Sequence, residues 1–226
     1  MKTSEQDVQK LKKLFTALKK GSEKPKKPST CDFIETIVFA VLCEKATESS
    51  AKAAVKKIQS HFVDINDLRV ARVEEIIEVI GLDFKGTEKC AIKLISLLNA
   101  IFQKYDCLSP EDMTTAGKKN TKEILGKFGG MTDFISDYVM LMVLNAHAVP
   151  MTEKMIQYLK TCGVIDPDTD NAQARAFVER QISAADAYAF YALVRHDSEL
   201  INPKVAQILA DEKSKSAAKK KNKPRK

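Results

Sequence analysis

The stretch from Glu123 to Leu159, EILGKFGGMTDFISDYVMLMVLNAHAVPMTEKMIQYL, constrains the fold more than any other. Gly126, Gly129 and Gly130 are three of the chain's eight glycines and fall within five residues. Glycine takes backbone conformations that other residues avoid, so the cluster marks a tight connection. From Phe134 to Leu144 nearly every residue is apolar. A helix apolar on all sides is a central one, and this one is too short for a membrane span, which needs ~20 residues. Pro150 stops the pattern. Met151 or Thr152 then opens another helix, with Met155, Ile156, Tyr158 and Leu159 at helical spacing. The layout is helix, hairpin, buried helix, break, helix.

The rest of the chain reads as helical too. Val8, Leu11, Leu14, Phe15 and Leu18 recur at helical spacing over residues 5–20, with lysines between them. GSEKPKKPST is a linker, and Ser29 or Thr30 is placed to cap a helix from Asp32 to about Lys45. Further helices are expected over 51–62, 73–80, 87–104, 121–125, 171–181, 184–196 and 203–211, with 65–68 as a short connection. In the 87–104 segment the apolar stripe is read as Ile92, Ile95, Leu98 and Phe102. No alternating strand pattern of useful length occurs, so the fold class is all-α. The five cysteines (31, 43, 90, 107, 162) are scattered, without metal-ligand spacing, which gives buried free thiols in a reducing compartment and no metal site. MKTSEQDVQKLKK lacks an apolar signal core, so the expectation is an intracellular protein without a membrane partner.

Charge is distributed unevenly. Residues 1–30 hold nine lysines and three acids, net +6; residues 213–226 hold seven lysines and Arg225 with no acid, net +8. The whole chain is +7, which leaves −7 for residues 31–212. The basicity therefore belongs to the ends. A tail such as KSKSAAKKKNKPRK is expected to be disordered, and lysine-rich arms bind polyanions through counterion release. A solubilising tail without a partner is the alternative.

The order IVFAVLCEKATESS, EEIIEVIGLDFKGTEKCAIKLISLL, the 124–159 stretch and YAFYALVRHDSEL resembles the helix-hairpin-helix DNA glycosylase superfamily, the endonuclease III-like (HhH-GPD) group, over about residues 31–200. The resemblance implies an all-α, two-lobed fold around a central helix-hairpin-helix. It divides the chain into a basic N-terminal helix and linker (1–30), a six-helix barrel-like lobe with the hairpin (31–147), a C-terminal helical lobe (148–211) and a Lys-rich tail (212–226). It implies a monomer that binds duplex DNA, damaged or distorted, in the cytoplasm and nucleoid or the nucleus, in base-excision repair.

The resemblance also assigns residues. Aligning on Val143-Leu144-Asn145 puts Thr132-Asp133-Phe134-Ile135-Ser136 where the family has Leu-Pro-Gly-Val-Gly, with Gly129-Gly130 as a hairpin shifted four residues early. The family's lyase lysine falls on Tyr138, which cannot form a Schiff base. Its essential aspartate falls on Thr152, with Glu153 one residue on, and its wedge glutamine falls on Lys45. The four-cysteine cluster is absent after Arg195-His196-Asp197, so no iron–sulfur cluster and no cofactor are implied. The implied DNA contacts are Lys45, Lys127, Gly129, Gly130, Phe134, Ile135, Ser136 and Lys154. Lys118, Lys119 and Lys122 are either part of a phosphate-facing patch with Lys127 or a solvated face. Three functions follow: a DNA-binding relative with an impaired or silent site, a helical interaction scaffold with polyanion-binding arms, and an active glycosylase that uses Glu153 as a shifted carboxylate.

Overall fold

A computed structural model of the chain describes residues 5–29, 31–108 and 117–200. They form eleven α-helices and, among the described residues, no strand. The Lys-rich tail and the helix expected over 203–211 lie outside the described residues. The chain divides into two compact units, one of residues 1–26 with 151–226, the other of residues 27–150.

The second unit is built on α2 (Phe33–Cys43) and α8 (Asp133–Met142). Nine of the eleven residues of α2 are buried, and so are nine of the ten of α8. Two helices without a polar face can be satisfied only by each other and by further cover. α2 packs on α8, on α3 (Glu48–His61) and on α6 (Thr87–Tyr105). α5 (Val73–Ile80) packs on α3 and α6, α4 (Ile65–Val70) on α6, and α7 (Lys118–Leu125) on α8. Side-chain caps start most of these helices: Asp32 caps α2, in place of Ser29 or Thr30, Thr47 caps α3, Asp64 caps α4 and Thr132 caps α8.

Two sequence expectations change here. Residues 65–70 form a helix instead of a connection, started by Asp64 and anchored by the fully buried Leu68. The buried face of α6 is Cys90, Ala91, Leu94, Leu97, Leu98 and Ile101. Ile92, read as part of the stripe, is 51% exposed, and Phe102 carries the Arg69 guanidinium 3.9 Å above its ring centre. The five cysteines are free, with Cys43, Cys90 and Cys162 buried and Cys31 and Cys107 partly so.

α8 ends at Met142, short of Leu144. Asn145 adopts φ +48°, and the Ala146 N–H returns to the Met140 carbonyl at 2.9 Å. This left-handed closure satisfies a carbonyl of the last turn. Two lysines complete the end of the helix: Lys27 donates to the Leu141 carbonyl at 2.5 Å and to Asn145 Oδ1, and Lys118 donates to the Asn145 carbonyl at 2.9 Å. Cations at a helix C-terminus oppose its negative dipole end. Burial, then the nearby Lys118 charge, lowers the pKa of Lys27, with Cys31 acting the other way.

In the first unit α1 (Glu5–Gly21) packs on α11 (Ala187–Glu199), and α9 (Glu153–Thr161) packs on α11 and on α10 (Asn171–Gln181). Leu11, Leu14, Phe15 and Leu18 form the buried face of α1, with Phe15 edge-on to Phe190 at 5.3 Å between ring centres. Beneath α9 lies a polar pair: Tyr158 Oη donates to Asp197 Oδ2 at 2.6 Å, both residues buried. Nearby Arg195, itself buried, pairs with Glu199. Burial foremost, then the hydrogen bond to Asp197, pushes the Tyr158 phenol far above its ordinary pKa.

The sign of that shift sets a pH dependence. The stability Tyr158 contributes is complete below the unfolded phenol's pKa of ~10 and declines as pH rises past it. Tyr158→Phe is expected to cost about 1–3 kcal/mol at neutral pH, because Asp197 loses a donor. The variant's stability should then fall less than wild type's above pH ~10. Urea denaturation at both pH values checks this.

Candidate nucleic-acid interface

The turn between α7 and α8 is the hairpin Gly126–Met131, a run of tight backbone bonds. Lys127 N–H donates to the Ile124 carbonyl, Phe128 N–H to Leu125 and Met131 N–H to Phe128, each at 3.1 Å. Gly130 has φ +86°, a left-handed conformation that favours glycine. Phe128 points inward and is buried, while Gly126, Lys127, Gly129 and Gly130 are exposed. Among the described residues, no group accepts from the N–H of Gly129 or Gly130. Two free N–H groups at a protruding turn are donors for an anion.

Cations flank the turn. An open depression of about 310 Å³ is lined by Ala100, Gln103, Lys104, Lys127, Phe128 and Gly129. The Lys104 ammonium lies 5.3 Å from the centre of the Phe128 ring, which ties it to the hairpin. On the other side, a Cβ added at Gly130 would sit 3.7 Å from Lys93 Cγ and from Leu97 Cγ. Lys93 Nζ pairs with Glu44 Oε2 at 2.7 Å, so the end of α2 with the exposed Lys45 adjoins the hairpin. Lys45, Lys127, Gly129 and Gly130 are thus brought into one neighbourhood.

The same unit holds an exposed apolar residue that sequence reasoning passed over. Leu82 is 88% exposed in the loop that opens α6. That loop is fixed: Gly81 has φ +103°, and the Thr87 hydroxyl donates to the carbonyls of Gly81 at 2.8 Å and Phe84 at 2.6 Å. Lys57 adjoins it, donating to the Ile80 carbonyl at 2.8 Å. From Thr87 to Lys93 along α6 is ~9 Å. The available signal was an apolar residue directly after a helix-ending glycine. Val63 is 93% exposed as well, so exposure alone does not select Leu82.

Other assigned residues fall elsewhere. Thr132 is the cap of α8, and Phe134, Ile135 and Ser136 lie in its first turns, all three buried. A buried side chain has no surface to offer DNA, which removes these three as side-chain contacts and leaves the turn at Gly126–Met131. Ser136 Oγ is buried without a hydrogen-bond partner among the described residues. Tyr138 is buried too, 5.9 Å from the Phe134 ring and 5.7 Å from Phe39 between centres. Lys118 is taken up by the Asn145 carbonyl and Lys122 pairs with Asp137 at 3.1 Å, so neither is simply a solvated or phosphate-facing lysine. Thr152, Glu153 and Lys154 belong to the first unit. Thr152 is buried and caps α9, its Oγ1 accepting from Met155 N–H at 3.2 Å, while Glu153 and Lys154 are exposed in the first turn. Among the described residues, no group of His, Cys, Asp or Glu could hold a metal ion, and no helix is long and apolar enough to cross a membrane.

Solved structures share this fold. An 8-oxoguanine glycosylase/lyase from Clostridium acetobutylicum, in complex with double-stranded DNA, matches with a TM-score of 0.66 at 15% identity over 86% of this chain and 69% of that one. A trapped endonuclease III–DNA covalent intermediate matches with a TM-score of 0.68 at 12% identity over 87% and 90%. The H. pylori 3-methyladenine DNA glycosylase bound to 1,N6-ethenoadenine matches with a TM-score of 0.62 at 17% identity over 84% and 94%. No family model matches the sequence, and no curated protein does. The chain has the helical fold of the endonuclease III-like DNA glycosylases.

The two hairpin glycines should respond differently to substitution. Gly130→Ala keeps ordinary contacts but forces alanine into a left-handed conformation, at an expected cost of about 1–2 kcal/mol. Gly129, without a positive φ and facing open space, should accept alanine within about 0.5 kcal/mol. Denaturant titration of the two variants distinguishes them.

Proposed function

We propose that this protein is a duplex-DNA-binding protein on the endonuclease III-like glycosylase fold, acting inside the cell as a monomer, with its base-excision chemistry impaired. The observation that carries the reading is the exposed hairpin Gly126–Met131, whose free N–H groups at Gly129 and Gly130 are flanked by Lys104 and Lys127. Free amides and lysines at one protruding turn match a phosphate oxygen, and contacts of this type position a duplex without reading its sequence. Lys45 extends the cationic surface, and Leu82 gives it an apolar side chain on a fixed loop. Apolar wedges inserted between base steps kink duplex DNA, which favours sites already unstacked or distorted. The structures that share the fold include DNA complexes, which supports DNA as the partner.

Two side chains bear on the chemistry. Excision needs a carboxylate near the developing sugar cation, an interaction that mutagenesis of comparable preorganised groups puts at several kcal/mol. Thr152 has only a neutral hydroxyl, and that hydroxyl caps α9. Tyr138 lacks the amine that a Schiff base requires and is packed against Phe39 and Phe134. The exposed Glu153 is the carboxylate next to Thr152, and a shifted site built on it is the competing reading.

We therefore expect binding without excision on duplexes carrying uracil, alkylated, oxidised or abasic sites, and no covalent adduct on borohydride trapping. Lys104→Gln with Lys127→Gln should weaken binding to every duplex and make the salt slope shallower by about two units. Leu82→Ala should lower only the preference for distorted duplex. Excision by the wild type that is abolished by Glu153→Gln would replace this reading with the active one. Affinity independent of salt and of the hairpin lysines would end it in favour of a scaffold.

A further inference from the structure

We infer that the outer face of α1 is a second, independent phosphodiester-contact surface, carried by the first unit and separate from the hairpin. The inference rests on the reading of the protein as a duplex-DNA binder. At 100° per residue, Lys12, Lys13, Lys19 and Lys20 fall within a sector about 120° wide. Gln9 and Thr16 lie in the same sector, and all six residues are exposed. Leu11, Leu14, Phe15 and Leu18 occupy the opposite side and are buried. Residues 9–22 contain five lysines and no acid.

A merely solvated helix face mixes signs, because lysines of one sign at close helical spacing repel. The acids nearest in sequence are elsewhere engaged or at the ends: Asp7 pairs with Lys10 at 3.2 Å, Glu5 opens the helix and Glu23 follows it. From α11, Asp186 accepts from Lys19 at 2.6 Å. Lys12, Lys13 and Lys20 have no ion pair among the described residues. Their field is uncompensated, which fits an anionic partner.

The face is also held still. Four buried apolar residues and the Phe15–Phe190 contact dock α1, the Lys19–Asp186 pair ties its last turn, and Tyr188 Oη donates to the Lys26 carbonyl at 3.1 Å beyond it. Lys13 and Lys20 are therefore presented about 10 Å apart along one rigid helix. That length spans about three phosphates of one DNA strand measured along the duplex axis. Regular spacing on a docked helix suits a regular polyanion, and it makes duplex DNA the partner favoured over a flexible acidic peptide.

The test is a salt titration of binding to an undamaged duplex. It compares the full chain, Lys12→Gln/Lys13→Gln/Lys20→Gln, the same three positions changed to Arg, and the hairpin variant Lys104→Gln/Lys127→Gln. The Gln triple should make the slope of log affinity against log salt shallower by about two to three units, the Arg triple should keep it, and thermal melts should match wild type because all three side chains are exposed. A Gln triple with the wild-type slope, beside a hairpin variant that has lost affinity, overturns the second surface and leaves the DNA-binding reading standing. Salt-independent or absent binding by the wild type overturns that reading instead. A Gln triple that loses affinity for poly-glutamate or single-stranded RNA but not for duplex overturns the choice of partner.

Discussion

The fold depends on the mutual burial of α2 and α8. Neither helix has a polar side to show to water, and each large apolar side chain removed from it contributes ~1.5–3 kcal/mol. The pairing sets the position of everything that follows. α3 and α6 cover the remaining sides of α2, and α5 and α4 then cover α6. The exposed ends of this packing, the α2 terminus at Lys45, the loop before α6 and the hairpin before α8, are the parts left to meet a partner. The candidate interface is in this sense a by-product of a core that fixes three connections on one helical scaffold.

The hairpin shows how backbone and charge combine. Gly130 permits the left-handed turn that brings α8 back on α7, and the same turn leaves two N–H groups with no acceptor among the described residues. A free amide at the surface costs little because water satisfies it, so the fold does not have to cover it. The lysines around it differ in what they are free to do. Lys118 and Lys122 are drawn into the protein by the Asn145 carbonyl and by Asp137, whereas Lys104 and Lys127 remain at the rim. A run of lysines read as one patch thus separates into helix-stabilising and outward-facing members.

Sequence alone made α2, α5, α8 and α9 legible, because an all-apolar run and a capped amphipathic run each admit one explanation. It failed where two explanations competed. α6 carries apolar residues on more than one side, and only its neighbours decide that Leu94, Leu97 and Ile101 go in while Ile92 stays out and Phe102 takes Arg69. α4 is less than two turns long, too short for periodicity to register. In the candidate site, the glycine cluster was legible as a tight turn, but Phe134, Ile135 and Ser136 were placed by counting back from Asn145. The helix that Asn145 ends starts at Asp133, so that count lands inside it, among buried residues. Leu82 left only a weak signal in the sequence, an apolar residue directly after the helix-ending Gly81.

The start of α9 separates what a fold requires from what a reaction requires. The first turn of a helix needs an oxygen to accept from its free N–H groups, and Thr, Ser, Asp and Asn meet that need comparably. Thr152 does so through Met155 N–H. A reaction that develops positive charge needs more than an acceptor; it needs a fixed negative charge, whose loss costs several kcal/mol in the transition state and nothing in the folded ground state. Threonine, with a neutral hydroxyl, has the first property and not the second. Exchanging one such cap for another at Thr152 should therefore leave the helix and the unit that contains it unaltered. A fold can lose a reaction in this way without losing stability or binding, so likeness to enzymes does not by itself carry an activity.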